Sequence, residues 1–150
     1  MPLFLSAKQI DSNAAMAFAD KFLNGKSNLR SSASELKLVY TAKANELRSA
    51  GDASENYYYV FNNGNNNGYV IIAADDVSVP IIAYSNTGNY NLKEQSPAHT
   101  SWMNTVKAGI AKAIADNNQP DKKVQEKWQK LRAGNLRAVT ANPVVGPYLI

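Results

Sequence analysis

Along this chain the spacing of apolar positions switches between a helical and a strand period, and each switch marks an element. After Asp11, the residues Ala15, Phe18, Ala19, Phe22 and Leu23 recur three or four apart, which makes one face of a helix. Asp11 or Ser12 suits the N-cap of that helix, and Gly25 suits its stop. Asn24–Ser34 is polar and reads as a loop. Over Glu35–Lys43 the period falls to two: Leu36, Leu38, Tyr40 and Ala42 take one side, Lys37, Val39, Thr41 and Lys43 the other. That is the pattern of a half-buried strand. Ala44–Asn56 is ambiguous, with loop favoured around Ser49–Ser54.

Tyr57–Phe61 and Tyr69–Ala74 are rich in aromatic and β-branched residues, which suit a pleated, half-buried surface. Between them, Asn62–Gly68 supplies residues that tolerate positive φ, so the chain reverses there. Asp75-Asp76 ends the apolar run. Pro80 has no N–H to donate, so Ile81–Tyr84 starts a new strand at an edge or bend. Ser96 as cap and Pro97 in the first turn open a second helix, carrying Trp102, Val106, Ile110, Ala113 and Ile114 as far as Asp116. Pro120-Asp121 opens a third, with Val124, Trp128 and Leu131 as its stripe and Gly134 as its end. These elements predict an α+β fold, an antiparallel sheet of about four strands packed with about three helices. Residues 1–135 form the domain, and 136–150, with Pro143 and Pro147 and no helical period, form an extended C-terminal tail.

Composition narrows the chemistry. The chain has 150 residues, the size of one domain, and no cysteine, so a disulfide, a thiolate metal site and a cysteine nucleophile are all excluded. Its single histidine, His99, leaves almost no room for a histidine metal site or a Ser-His relay. No cofactor is expected, and the chain alone is not expected to be an enzyme. The net charge of +4 is uneven: residues 1–106 carry 8 basic and 9 acidic side chains, residues 107–150 carry 8 and 3. A basic third can attract nucleic acid, but aromatic interleaving and arginine clustering are missing, so a solvated Lys/Arg helix face is the better reading. No apolar run approaches the length of a membrane span.

Several residues invite a functional reading. Asp75-Asp76 are neighbours on a strand, so their carboxylates point apart and suit a structural strand end better than a shared ligand. Asn62–Gly68 has no carboxylate for calcium and lacks the Lys-Ser/Thr pair of a phosphate loop. His99, in a helix's first turn, is a candidate for a minor pH role and for an interface. Trp102 and Trp128 are interface candidates by residue type, with core packing favoured for both by their helical spacing.

The wording of the central block goes beyond its pattern. Tyr59-Val60-Phe61-Asn62, Gly68-Tyr69-Val70-Ile71-Ile72, Ala74-Asp75-Asp76, Pro80-Ile81-Ile82-Ala83-Tyr84-Ser85 and Gly88-Asn89-Tyr90 stand in one order and at close spacing. The block resembles the pro-domain of streptopain-like cysteine proteases (peptidase family C10), which is also the fold of the small inhibitors of those enzymes. The resemblance implies a pro-domain that keeps a cognate cysteine protease latent by covering its cleft, and that assists its folding. The partner is then that protease's catalytic domain, in cis or in trans, with no nucleic acid and no membrane, in a secreted or periplasmic setting. It further implies a blocking element in about Asn86–His99, with Asn89, Asn91, Glu94 and Gln95 as candidates. Asn142–Val145 is similar to the family's junction with the mature enzyme, so processing is expected around Ala141, Asn142 and Pro143, with the Ala141–Asn142 bond favoured. The alternatives are a stand-alone inhibitor of C10 proteases, a folding assistant with inhibition secondary, and a nucleic-acid or surface-binding module.

Overall fold

The computed structural model describes residues 9–24, 36–43, 55–116 and 118–138. In chain order they form α1 (Ser12–Asn24), β1 (Leu36–Lys43), β2 (Asn56–Asn63), β3 (Tyr69–Ala73), β4 (Ile81–Ser85), a 3-10 turn (Leu92–Glu94), α2 (Pro97–Ala115) and α3 (Lys122–Arg132). The four strands make one antiparallel sheet, as the run of short apolar segments predicts, and they stand in the order β1-β2-β3-β4. Gly25, the Ser49–Ser54 loop and the Ala141–Pro143 junction lie outside the described residues.

Helices cover both faces of this sheet. Cross-strand partners share a face, so the register places Tyr59, Phe61, Val70, Ile72 and Tyr84 on one side. There Phe22 of α1 meets Tyr84 edge-on at 4.8 Å, and Tyr59 donates its hydroxyl to the Ile10 carbonyl at 2.7 Å. Tyr40, Tyr58, Val60, Ile71 and Tyr69 lie on the other side, where Lys107 of α2 reaches Tyr40. The half-buried surface expected for β2 is therefore corrected: Tyr57 through Phe61 are all buried, because each face has its own helical cover.

β1 departs from strict alternation as well. Its ladder slips between Leu38 and Tyr40, where a bulge at Val39 puts Leu38 opposite Phe61 but Tyr40 opposite Val60. One extra residue reverses the side-chain parity of everything after it. Leu36 and Leu38 thus face α1, whereas Tyr40 turns toward α2, and the four do not share one side.

The helix ends follow local chemistry. Asp11 is the cap of α1, its carboxylate accepting from the Ala14 N–H at 2.7 Å. Asp121 caps α3 by accepting from Val124 N–H at 2.9 Å, and Gly134 closes it at φ +80°. On α3, Val124, Trp128 and Leu131 are buried, as their spacing predicts. Trp128 stacks edge-on against Phe18 and donates its indole N–H to the Ser78 carbonyl at 2.8 Å. On α2 the buried stripe is Met103, Lys107 and Ile110, with Trp102, Val106 and Ile114 only partly buried beside it. A lysine can occupy a core stripe because its stem packs while the ammonium reaches out, here toward the Tyr40 hydroxyl at 3.4 Å.

Candidate functional site

The segment from β4 to α2 carries the candidate residues, and it is built on the β2–β3 turn. That turn reverses through Gly64, Asn66 and Gly68, all at positive φ. Gly68 is obligatory: a Cβ there would lie 2.1 Å from the Ser85 carbonyl oxygen, at a φ of +110°. Its N–H donates to the Gly88 carbonyl at 2.8 Å, and the Gly88 N–H donates to the Asn66 carbonyl at 3.0 Å. Asn66 in turn donates its N–H to Asn89 Oδ1 at 3.1 Å. The turn and the segment after β4 are therefore one stitched unit.

Tyr90 is the next fixed point. Asn62 grips its backbone from both sides, accepting from Tyr90 N–H at 2.7 Å and donating to the Tyr90 carbonyl at 3.1 Å. The Tyr90 ring is buried against Tyr69, with centroids 5.2 Å apart, and its hydroxyl lies 2.8 Å from His99 Nε2. Burial, and then Tyr69 beside it, pushes the Tyr90 hydroxyl up to about 12, so it stays neutral. Burial also holds His99 below its ordinary value, which favours the unprotonated ring that can accept from Tyr90. Trp102 lies on the far side of His99, its ring centre 6.1 Å away.

Between these anchors the chain curls outward. Asn91 caps the 3-10 turn by accepting from Lys93 N–H at 3.0 Å. Glu94 N–H donates to the Asn91 carbonyl at 3.1 Å, and Gln95 Nε2 donates to the same oxygen at 2.7 Å. Ser96 then caps α2 by accepting from His99 N–H at 3.1 Å. Asn89, Asn91 and Gln95 thus hold the shape of the segment, while Leu92, Lys93 and Glu94 are exposed at its crest. Two residues of this arrangement have no role of their own in the sequence. Asn62 stands there as a turn residue and as the end of the Tyr59-Val60-Phe61-Asn62 motif. Leu92 is passed over inside a polar run, although a lone leucine in NTGNYNLKEQSPAH is the signal that marks it.

The other candidates have structural roles. Asp75 is buried at the end of β3, accepting from Gln9 Nε2 and from Val77 N–H, both at 3.0 Å. Burial raises its carboxyl above the ordinary carboxylate range against those hydrogen bonds. Trp128 is core. The α3 lysines Lys122, Lys123, Lys127 and Lys130 are exposed opposite its buried stripe, the solvated face expected for the basic third. Among the described residues no group of His, Asp and Glu is arranged to hold a metal ion, and no helix is long and apolar enough to cross a membrane.

No curated protein and no solved structure matches the chain. A family model described as Spi protease inhibitor matches residues 7–110, which run from just before α1 into α2 and include the whole sheet and the Asn86–His99 segment. That is more than half of the chain, and the aromatic β2, the glycine turn and the Pro80–Ser85 strand all fall within it. The chain therefore belongs to the Spi protease inhibitor family, the family of small inhibitors of C10 cysteine proteases.

Proposed function

We propose that this chain holds a C10 cysteine protease inactive by covering its active-site cleft with the Asn86–His99 segment. The observation that carries the reading is the family match over residues 7–110, which contains that segment. The pinned geometry supports it. A segment that enters a cleft already ordered loses little conformational freedom on binding, and Asn62, Asn89, Asn91 and Gln95 supply that order here. Asn89, Asn91, Glu94 and Gln95 frame the contact, and His99 and Trp102 stand behind it.

Two arrangements deliver the same inhibition. As a stand-alone inhibitor the chain acts in trans, which the family description favours. As a pro-domain it acts in cis, and two features favour that. One is the junction-like sequence at Ala141-Asn142-Pro143. The other is the exit of the chain: Ala138 N–H donates to the Phe22 carbonyl, and Phe22 stacks on Tyr84, one residue before β4 ends and the crest segment begins. A tethered protease would then sit at the end of the sheet that carries the crest, at an effective concentration of roughly millimolar. The setting is secreted or periplasmic in either case. In the cis arrangement, residues 1–135 are the inhibitory domain and 136–150 the linker, cut at Ala141–Asn142.

Titrating purified C10 proteases with the full chain tests the inhibitor reading. Loss of activity at or below micromolar chain supports it, and full activity there removes it. Reading the codons after Ile150 separates the two arrangements, since only a pro-domain continues into a domain with cysteine and histidine.

A further inference from the structure

We infer that Leu92 is the apolar anchor of this chain, received by an apolar subsite next to the protease's catalytic thiol. The inference rests on the inhibitor reading above and deepens it by naming the side chain and the chemistry of the pocket that takes it. Leu92 is the large hydrophobic residue left exposed among the described residues, at 46%. A single exposed leucine on a surface is ordinary and by itself says little. The position of this one is not ordinary. It crowns a turn held by hydrogen bonds from Asn91 and Gln95, and that turn stands between the Tyr90 clamp and the Ser96 cap. Each of those bonds fixes the crest without burying Leu92 against the chain's own core.

The surroundings match the anatomy of an anchor. Asn91 before Leu92 and Lys93 and Glu94 after it are exposed, which gives polar neighbours around one apolar knob. Peptide-binding clefts are concave and mostly apolar with a few placed polar groups, so a rigid convex knob is the complementary shape. The backbone conformation adds a second property. A bond is cut in an extended segment, whereas Leu92–Glu94 form a 3-10 turn closed by the Glu94 N–H to Asn91 carbonyl bond, with Asn91 and Gln95 extended on either side of it. Leu92 can therefore occupy a side-chain pocket while the Leu92–Lys93 bond inside the turn stays out of line for attack. Binding without cleavage follows from the curl.

The test titrates purified C10 cysteine proteases, streptopain among them, with the full chain and with Leu92→Met, Leu92→Ala and Leu92→Asp. Residual activity is read on a short peptide substrate, and the thermal midpoint of each variant is recorded. The expected result is inhibition within about threefold of wild type for Leu92→Met and about 10- to 30-fold weaker for Leu92→Ala, the usual effect of truncating an apolar anchor. Leu92→Asp should be weaker by about 100-fold or more, since it buries an unpaired charge. Thermal midpoints should stay within about 2 °C, because little is packed on this side chain. Asn91→Gly loosens the curl, and the variant should be cut near Leu92 where wild type stays whole. If all three Leu92 variants inhibit as wild type does, the anchor is wrong while the inhibitor reading stands. If wild type itself leaves every protease active, the inhibitor reading fails and the anchor with it.

Discussion

Gly68 shows how much a single residue position decides here. It sits where the turn passes within contact of the Ser85 carbonyl, at a backbone angle that side chains rarely adopt. Gly68→Ala should cost about 2–4 kcal/mol in chemical denaturation, combining left-handed strain with a displaced β4 end. A cost under about 1 kcal/mol would mean the two segments are not in contact. Asn62 is the second such position. Asn62→Ala leaves the Tyr90 N–H and carbonyl without their partner, so inhibition should weaken about tenfold or more while the sheet stays folded. Both residues stand at the ends of an asparagine-rich run whose local pattern gives a turn and no more. Nothing in that run reveals which asparagine holds a distant backbone, because the grip spans 28 residues of sequence. Leu92 was hidden for a related reason: a periodic pattern cannot show whether one apolar residue in a polar segment folds inward or stands out.

At the scale of elements, α3 lies beyond the segment that the family model matches, yet its Trp128 and Leu131 are among the most deeply buried side chains. Trp128→Ala should therefore destabilise the whole fold by about 3–5 kcal/mol, with one cooperative transition. A helix merely laid on the surface would give under about 1 kcal/mol. The start of α2 carries the pH response. Folding lowers the pKa of His99, so the unfolded chain takes up a proton more readily than the folded one. The stability this group contributes is complete above the unfolded value of about 6.5 and is lost as pH falls through the folded value. Asp75 acts in the opposite sense, since its raised carboxyl costs stability as pH rises above about 4. The two are separated by comparing wild type with His99→Gln: the difference in thermal midpoint should change between pH 7.5 and pH 5, with wild type losing more. A constant difference would leave His99 without that role. Helix positions and caps were legible here, because Asp11, Ser96, Pro97, Asp121 and Gly134 are short-range signals. The bulge at Val39 was not, since a β-branched residue fits either side of a strand. The burial of Lys107 was not either, because its stem is core and its charge is surface.

For the whole molecule, the sheet with helices on both faces is a scaffold that carries the Asn86–His99 segment, the proposed site, between β4 and α2. An apolar strand such as β2 looks alike whether one or both faces are covered, so the double cover was not readable from Tyr57–Phe61. The family was readable, because the strand, turn and Pro80–Ser85 wording keep one order across the sheet. The chain brings no cysteine of its own, and that makes the central claim directly measurable. A C10 protease is mixed with saturating chain, and the rate at which iodoacetamide alkylates the protease thiol is followed by mass. If the crest covers the cleft, alkylation should slow by about 100-fold or more, in step with lost activity. Alkylation at the free-enzyme rate in the presence of saturating chain would contradict the account.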